Sequence, residues 1–215
     1  MFGEAYILEP DVALTDYLLA AQCFGFAWVI YRKSPRSLWL LLFGSLGVAS
    51  LSAGTVHGFL SDETTFVYAL LWRLSLLSIG AATLAAWYVG TIFLQTARLA
   101  NWMRRLAVLQ FVLYAVFVLF YSDGFLFAAL NYLPAAIFLL FIFTQRYLQT
   151  KRRAFLWGAV SIALTFAGSF VQIANIPLHP QYFNHNALYH AIQFVAFCFL
   201  FACARNSIGK NSYAE

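Results

Sequence analysis

The chain has 215 residues, 63% of them hydrophobic and only 10% charged, with a formal net charge of +5. A water-soluble domain carries roughly a quarter charged residues, so this chain could not cover a surface that faces water. The positive balance does not point to nucleic acid either, because the Lys and Arg residues fall in clusters between or after long apolar runs.

A bilayer core needs about 20 consecutive apolar residues per helix, and runs of that kind recur along the sequence with short gaps. The reading is an all-α, polytopic membrane protein: a single seven-helix transmembrane domain over residues 1–215. Met1 to Pro10 has no basic region and no small-residue cleavage site, so no signal peptide is expected. Helix one covers about 12–31, entered through Glu9, Asp11 and Asp16 and closed by Arg32, Lys33, Pro35 and Arg36. Helix two covers 38–60 and stops at Ser61-Asp62-Glu63, and helix three covers 66–94 with Arg73 inside its apolar run. Helix four is placed at 106–121, after Arg98, Arg104 and Arg105, and ends at the turn Ser122-Asp123-Gly124. Helix five, 125–143, contains Asn131 and a kink at Pro134, and is followed by Arg146, Lys151, Arg152 and Arg153. Helix six covers 155–174, the stiff segment Ile176-Pro177-Leu178-His179-Pro180 follows, and helix seven covers 186–204 ahead of a polar tail. Cys23, Cys198 and Cys203 all lie within apolar runs and read as buried small hydrophobes.

Seven spans put the two ends of the chain on opposite sides. Twelve of the 13 Lys and Arg residues then fall on the side of the tail, Arg73 being the exception, while seven of the eight acids fall on the other side. The positive-inside rule places the N-terminus outside and the C-terminus in the cytoplasm.

With that topology, a rise of about 1.5 Å per residue brings several polar residues to one depth. His57 lies one turn from the outer end of helix two, His190 one turn from the outer end of helix seven, and Asp16 one turn inside helix one. Asn131 and Gln172 also fall in outer thirds, and Arg73 sits deeper. Polar groups at such depth are costly in lipid and are expected to face the bundle interior or a wet cavity. On helix seven, Asn186, His190 and Gln193 lie within about 60° of one another at ~100° per residue. On helix two, Gly47, Ser50, Gly54 and His57 lie within about 80°, a small-residue stripe that lets helices approach closely. His185 is about 140° from His190 on an ideal helix and converges with it only if the helix starts after it. His179, between two prolines, is expected to be exposed. Arg73 is expected to pair with Asp16 or to form an anion site. Helix seven has no lysine, which excludes a retinal Schiff base there.

Two segments carry a resemblance. Ser52-Ala-Gly-Thr-Val-His57 resembles the helix-two motif of the seven-helix membrane hydrolase superfamily of alkaline ceramidases and adiponectin-receptor-like proteins, in which a serine precedes a zinc-binding histidine. Asn186-Ala-Leu-Tyr-His190 resembles that superfamily's His-x-x-x-His pair in helix seven, with Asn186 in the place of the first histidine. Ser52 stands five residues before His57 where the superfamily has four, and the acidic residue of helix three has no counterpart, Arg73 standing nearby. The segments at 15–20, 54–59 and 185–190 are also similar to bacterial seven-helix membrane proteins without an assigned activity. These resemblances imply a bacterial inner-membrane protein.

Three readings of the function follow. The first, implied by the superfamily, is a zinc-dependent hydrolase acting on a lipid amide or ester from the outer leaflet. His57, His190 and His185 would be the metal ligands, with Asp16 an alternative third and, with Ser52 and Arg73, a catalytic candidate; Ser52 would stabilise the oxyanion and Arg73 would bind an anionic headgroup or the developing charge. The second is a non-catalytic receptor, transport or assembly protein with a polar outer cavity. The third is a haem protein with His57 and His190 as axial ligands.

Overall fold

The computed structural model describes residues 7–208. These residues form seven α-helices, each long and apolar enough to cross a membrane: α1 (Pro10–Lys33), α2 (Leu38–Phe59), α3 (Phe66–Thr91), α4 (Ala97–Phe120), α5 (Phe125–Thr150), α6 (Arg153–Ile173) and α7 (His185–Ile208). Local chemistry sets several of the ends. Pro10 opens α1, with Asp11 in its first turn and Arg32 and Lys33 in its last, charges that complement the helix dipole. The Thr65 hydroxyl accepts from Tyr68 N–H at the start of α3. Lys151, at φ 55°, ends α5 in the left-handed conformation.

Two helices extend well past their apolar runs. α4 begins at Ala97 rather than at 106 and takes in Arg98, Arg104 and Arg105; α5 runs on to Thr150 rather than ending at 143. Arginine is a good helix former, so a polar turn continues a helix beyond its lipid-facing stretch. The side chains are tied down: Arg104 Nε donates to Thr91 Oγ1 at 2.9 Å, and the Arg146 guanidinium donates to the Phe93 carbonyl. The helical assignment of α5 is continuous through Pro134.

The packing order is a closed ring of six helices. α1 lies between α2 and α7, α2 packs on α3, α3 on α5, α5 on α6, and α6 on α7. α4 stands outside the ring, packed on α3. A polar pin joins it to the ring: Gln110 Nε2 donates to the Asn131 carbonyl and side chain at 2.7 and 2.9 Å, and its Oε1 accepts from Trp87 Nε1. The outer face of α4 shows Leu106, Leu109, Leu113, Val116 and Phe120 to the surroundings, an apolar face suited to lipid.

Inside the ring the two halves differ. Towards the end that carries the basic clusters, Ile30, Phe43, Val89, Leu139, Phe143 and Cys203 form a continuous buried core. The opposite end, where the chain enters α1, is hollow. All three cysteines are free, but only Cys23 and Cys203 are buried; Cys198 is exposed on the outer side of α7, where its sulfur accepts from Gln22 Nε2 at 3.1 Å. An apolar run in a membrane helix fixes depth, not direction, which is why the reading of Cys198 as buried does not hold.

Candidate functional site

A cavity of about 290 Å³ occupies the hollow end of the ring. Every ring helix contributes to its lining, among them Asp16 of α1, His57 of α2, Trp72 of α3, Phe125 of α5, Gln172 of α6 and His190 of α7. Each of these residues lies within two turns of the same end of its helix, so residues far apart in sequence share one layer. The common depth of Asp16, His57 and His190 is as the helix lengths require.

α2 shows how the sequence divides its faces. Gly47, Gly54 and Gly58 turn towards α1: a Cβ at 47 would meet the Phe24 ring at 2.7 Å, one at 54 would meet Asp16 Cβ at 2.9 Å, and one at 58 would meet Ala13 Cβ at 3.2 Å. Ser50 and His57, about 40–60° round the helix from Gly54, face the cavity instead. The small-residue stripe is therefore two adjacent strips, one for packing and one for the site.

Asp16 is 2% exposed, and His190 Nε2 stands 3.5 Å from its Oδ1. The other ring nitrogen, Nδ1, is 3.1 Å from Thr15 Oγ1. The Thr15 hydroxyl also stands 2.9 Å from the carbonyls of Asp11 and Val12, so with its hydrogen on either carbonyl its oxygen accepts from His190 Nδ1. With Nδ1 protonated, Nε2 is the nitrogen that faces the Asp16 carboxyl. Asp16 Oδ2 is buried and has no hydrogen-bond partner among the described residues.

His57 is held differently. Its Nδ1 is 2.8 Å from Glu9 Oε2, and its ring stands edge-on to Trp72 with centroids 6.1 Å apart. The chain ahead of α1 is strapped to the end of α2, with Leu8 N–H donating to the Gly58 carbonyl and Glu9 N–H to the His57 carbonyl. On α7, Asn184 Oδ1 accepts from the N–H groups of Asn186 and Ala187 and so caps the helix, while its own N–H donates to Asp11 Oδ2 at 2.8 Å. Gln172 Nε2 donates to Asn186 Oδ1, and Thr165 donates to Gln193 Oε1.

Other expected site residues do not converge. Ser52 is buried, but it lies about 160° from Ser50 around the helix and is not part of the cavity lining. Arg73 does not pair with Asp16: its Nε is 3.4 Å from Asp123 Oδ2, in the turn between α4 and α5, and Trp72 Nε1 donates to the Asp123 carbonyl beside it. Successive residues on a helix point about 100° apart, so Trp72 facing inward turns Arg73 aside. His185 is the first residue of α7, not a residue ahead of it, so the helix carries it away from His190. His179 is exposed, its Nδ1 accepting from the N–H groups of Gln181 and Tyr182. The sequence reading missed Thr15, Glu9 and Trp72. Thr15 could have been found from its position one residue before Asp16 at the depth of His190.

The residues do not fit the implied zinc. A catalytic zinc site takes three protein ligands and keeps one position open. Among the described residues no group of three or more His, Cys, Asp or Glu side chains stands close enough to hold an ion. Both ring nitrogens of His190 and one of His57 already face other partners. The same engagement of His190 leaves it no free nitrogen for an axial bond to haem iron.

A second cavity, of about 140 Å³, adjoins the first towards the packed core; Leu46, Ile79, Phe125, Tyr189, Gln193 and Phe197 line both. Its remaining walls are mostly aliphatic, with Ala82, Ala86, Ala129, Ala135 and Leu139 among them. The site is thus polar at the end of the bundle and apolar beneath.

Residues 12–208 match the model of a family of unknown function (DUF6962). No curated protein and no solved structure matches the chain.

Proposed function

The chain belongs to this family, and we propose that it is a non-catalytic seven-helix membrane protein that binds a small ligand in the cavity at the acidic end of its helix ring. The observation that carries this reading is a cavity lined by all six ring helices, with the buried Asp16, whose Oδ2 has no hydrogen-bond partner among the described residues, in its wall. A buried acceptor without a donor costs about 1–3 kcal/mol, a cost that a bound ligand with a donor relieves. Ligand sites are concave, largely apolar and fixed by a few polar groups, as this one is. The proposed orientation puts the cavity outside and the basic end in the cytoplasm of a bacterial inner membrane, on the strength of the Lys and Arg distribution. Surrounding membrane lipid is its constant partner.

A thermal-stability screen of the purified full chain against small amphiphiles with cationic, anionic and neutral heads tests the reading. Saturable stabilisation by at least one head class in the wild type, lost in Ala53→Phe, supports it, because Ala53 lines the cavity and a phenyl ring would fill it. Stabilisation by none, or equal stabilisation of the filled variant, overturns it.

The second reading is the metal-dependent hydrolase of a lipid amide or ester, favoured by the shared position of His57, His190 and Asp16 on one cavity. It requires those side chains to leave their present partners. Stoichiometric zinc in the purified protein, lost together with hydrolysis in His190→Ala, would favour it over binding alone. A visible absorption spectrum tests the haem alternative directly.

A further inference from the structure

Resting on the binding reading, we infer that the ligand is an amphiphilic primary amine, its ammonium group on Asp16 and its hydrocarbon tail in the lower cavity. Three observations combine. The first is charge: among the described residues the upper cavity is lined by one carboxyl group, two histidines and no Lys or Arg. The closest arginine in sequence to its α3 wall, Arg73, is turned to Asp123. Glu9, at the His57 edge, adds a second acid to the same end.

The second is the pattern of free hydrogen-bonding groups. Among the described residues no donor reaches Asp16 Oδ2, an acceptor on a residue only 2% exposed. His190 Nε2 stands 3.5 Å from the other carboxyl oxygen, Oδ1. Gln172 gives its amide N–H to Asn186, which leaves its carbonyl oxygen free as a second acceptor on the same cavity wall. An ammonium group has three donors and no acceptor, and so matches acceptors that an anionic head would be repelled by. Trp72, Phe125 and Tyr189 supply aromatic walls, and a cation over such a face is attracted by the ring quadrupole.

The third is the apolar compartment. It continues the polar one through Phe125, Tyr189 and Phe197 and ends among the alanines of α3 and α5. A bare cation would leave that space without an occupant, whereas an unbranched alkyl chain would fill it and remove its apolar surface from water. Head and tail sites lie along one line into the bundle, the order in which an amine entering head-outward from the membrane plane or the outer surface would settle.

The test is equilibrium binding of radiolabelled octylamine to the full chain in lipid nanodiscs, with unlabelled octylamine, octanol and octanoate as competitors against a background of empty nanodiscs. Saturable octylamine binding, displaced by octylamine and at least tenfold less well by octanol or octanoate, is expected. Asp16→Asn should weaken it at least tenfold. Ala129→Phe, which shortens the lower cavity and leaves Asp16 in place, should shift the preference from octylamine to butylamine in a butylamine-against-octylamine competition. Octanol or octanoate competing as well as octylamine would overturn the amine assignment while leaving a ligand-binding cavity. No saturable octylamine binding would overturn the assignment, and stabilisation by another head class in the thermal screen, lost in Ala53→Phe, would leave the cavity reading standing. Unchanged chain-length preference in Ala129→Phe would overturn the placement of the tail.

Discussion

Gly54 of α2 lies directly against Asp16 of α1: a Cβ at position 54 would come within 2.9 Å of Asp16 Cβ and 3.3 Å of the Ala13 carbonyl oxygen. These atoms belong to or adjoin the backbone, so they cannot swing aside as a long side chain could. The missing methyl group is what allows the buried carboxyl to sit at the α1–α2 contact. Gly54→Val should therefore push α1 away from α2, lower stability by roughly 1–3 kcal/mol and move Asp16 out of register with His190. Reversible unfolding in mixed micelles reads the first effect and ligand binding the second. Wild-type stability in Gly54→Val would refute the close contact.

Arg73 and Asp123 form an ion pair whose side chains are 42% and 44% exposed. Solvent screening limits such pairs to about 0–1 kcal/mol. A double-mutant cycle with Arg73→Leu and Asp123→Asn should show coupling below ~1 kcal/mol, and the cycle of Arg73 with Asp16 should show none beyond about 0.3–0.5 kcal/mol. Strong coupling in the second cycle would restore the interior pairing that the sequence suggested.

The cap of α7 is a sharper stability test. Asn184 takes two helix N–H groups on its side chain and gives its own N–H to Asp11, so it fixes the start of α7 and docks it on α1. Asn184→Ala should cost about 1 kcal/mol and Asn184→Asp appreciably less. Equal losses would show that the cap does not hold the helix.

Much of this arrangement is legible in the sequence, for identifiable reasons. Seven apolar runs with basic residues at alternate gaps fix the helices, and helix length fixes depth, so the amino-acid order alone places Asp16, His57 and His190 in one layer. Rotation about each helix axis is another matter. A membrane helix is apolar on most sides, so periodicity gives little information on which face is inside. That is why the position of α4 outside the ring, the exposure of Cys198 and the outward turn of Arg73 could not be read. Ser52 shows the hazard of a motif read without phase: one position from Ala53 on the chain, it points away from the cavity that Ala53 lines. His185 failed for a related reason, because its usefulness depended on whether α7 begins at it or after it, a matter decided by the Asn184 cap.

The tautomer of His190 gives a prediction that reaches the site itself. The Thr15 hydroxyl has a single hydrogen, and carbonyls of Asp11 and Val12 stand 2.9 Å away to accept it. With the hydrogen on either carbonyl the oxygen accepts, and the hydrogen of the 3.1 Å contact resides on His190 Nδ1. Nitrogen-15 spectra of ring-labelled protein should show His190 protonated at Nδ1, with Nε2 as the nitrogen that responds to changes at Asp16. Thr15→Ser keeps the hydroxyl and should keep the spectrum. Thr15→Val removes the acceptor from a largely enclosed N–H, costs about 1–3 kcal/mol and frees the ring to turn. Loss of the Nδ1 preference in Thr15→Val with retention in Thr15→Ser would establish that Thr15 orients His190 towards Asp16. A wild-type His190 found with its proton on Nε2 and none on Nδ1 would reverse the direction of the Thr15 hydrogen bond and with it the orientation of the whole pair.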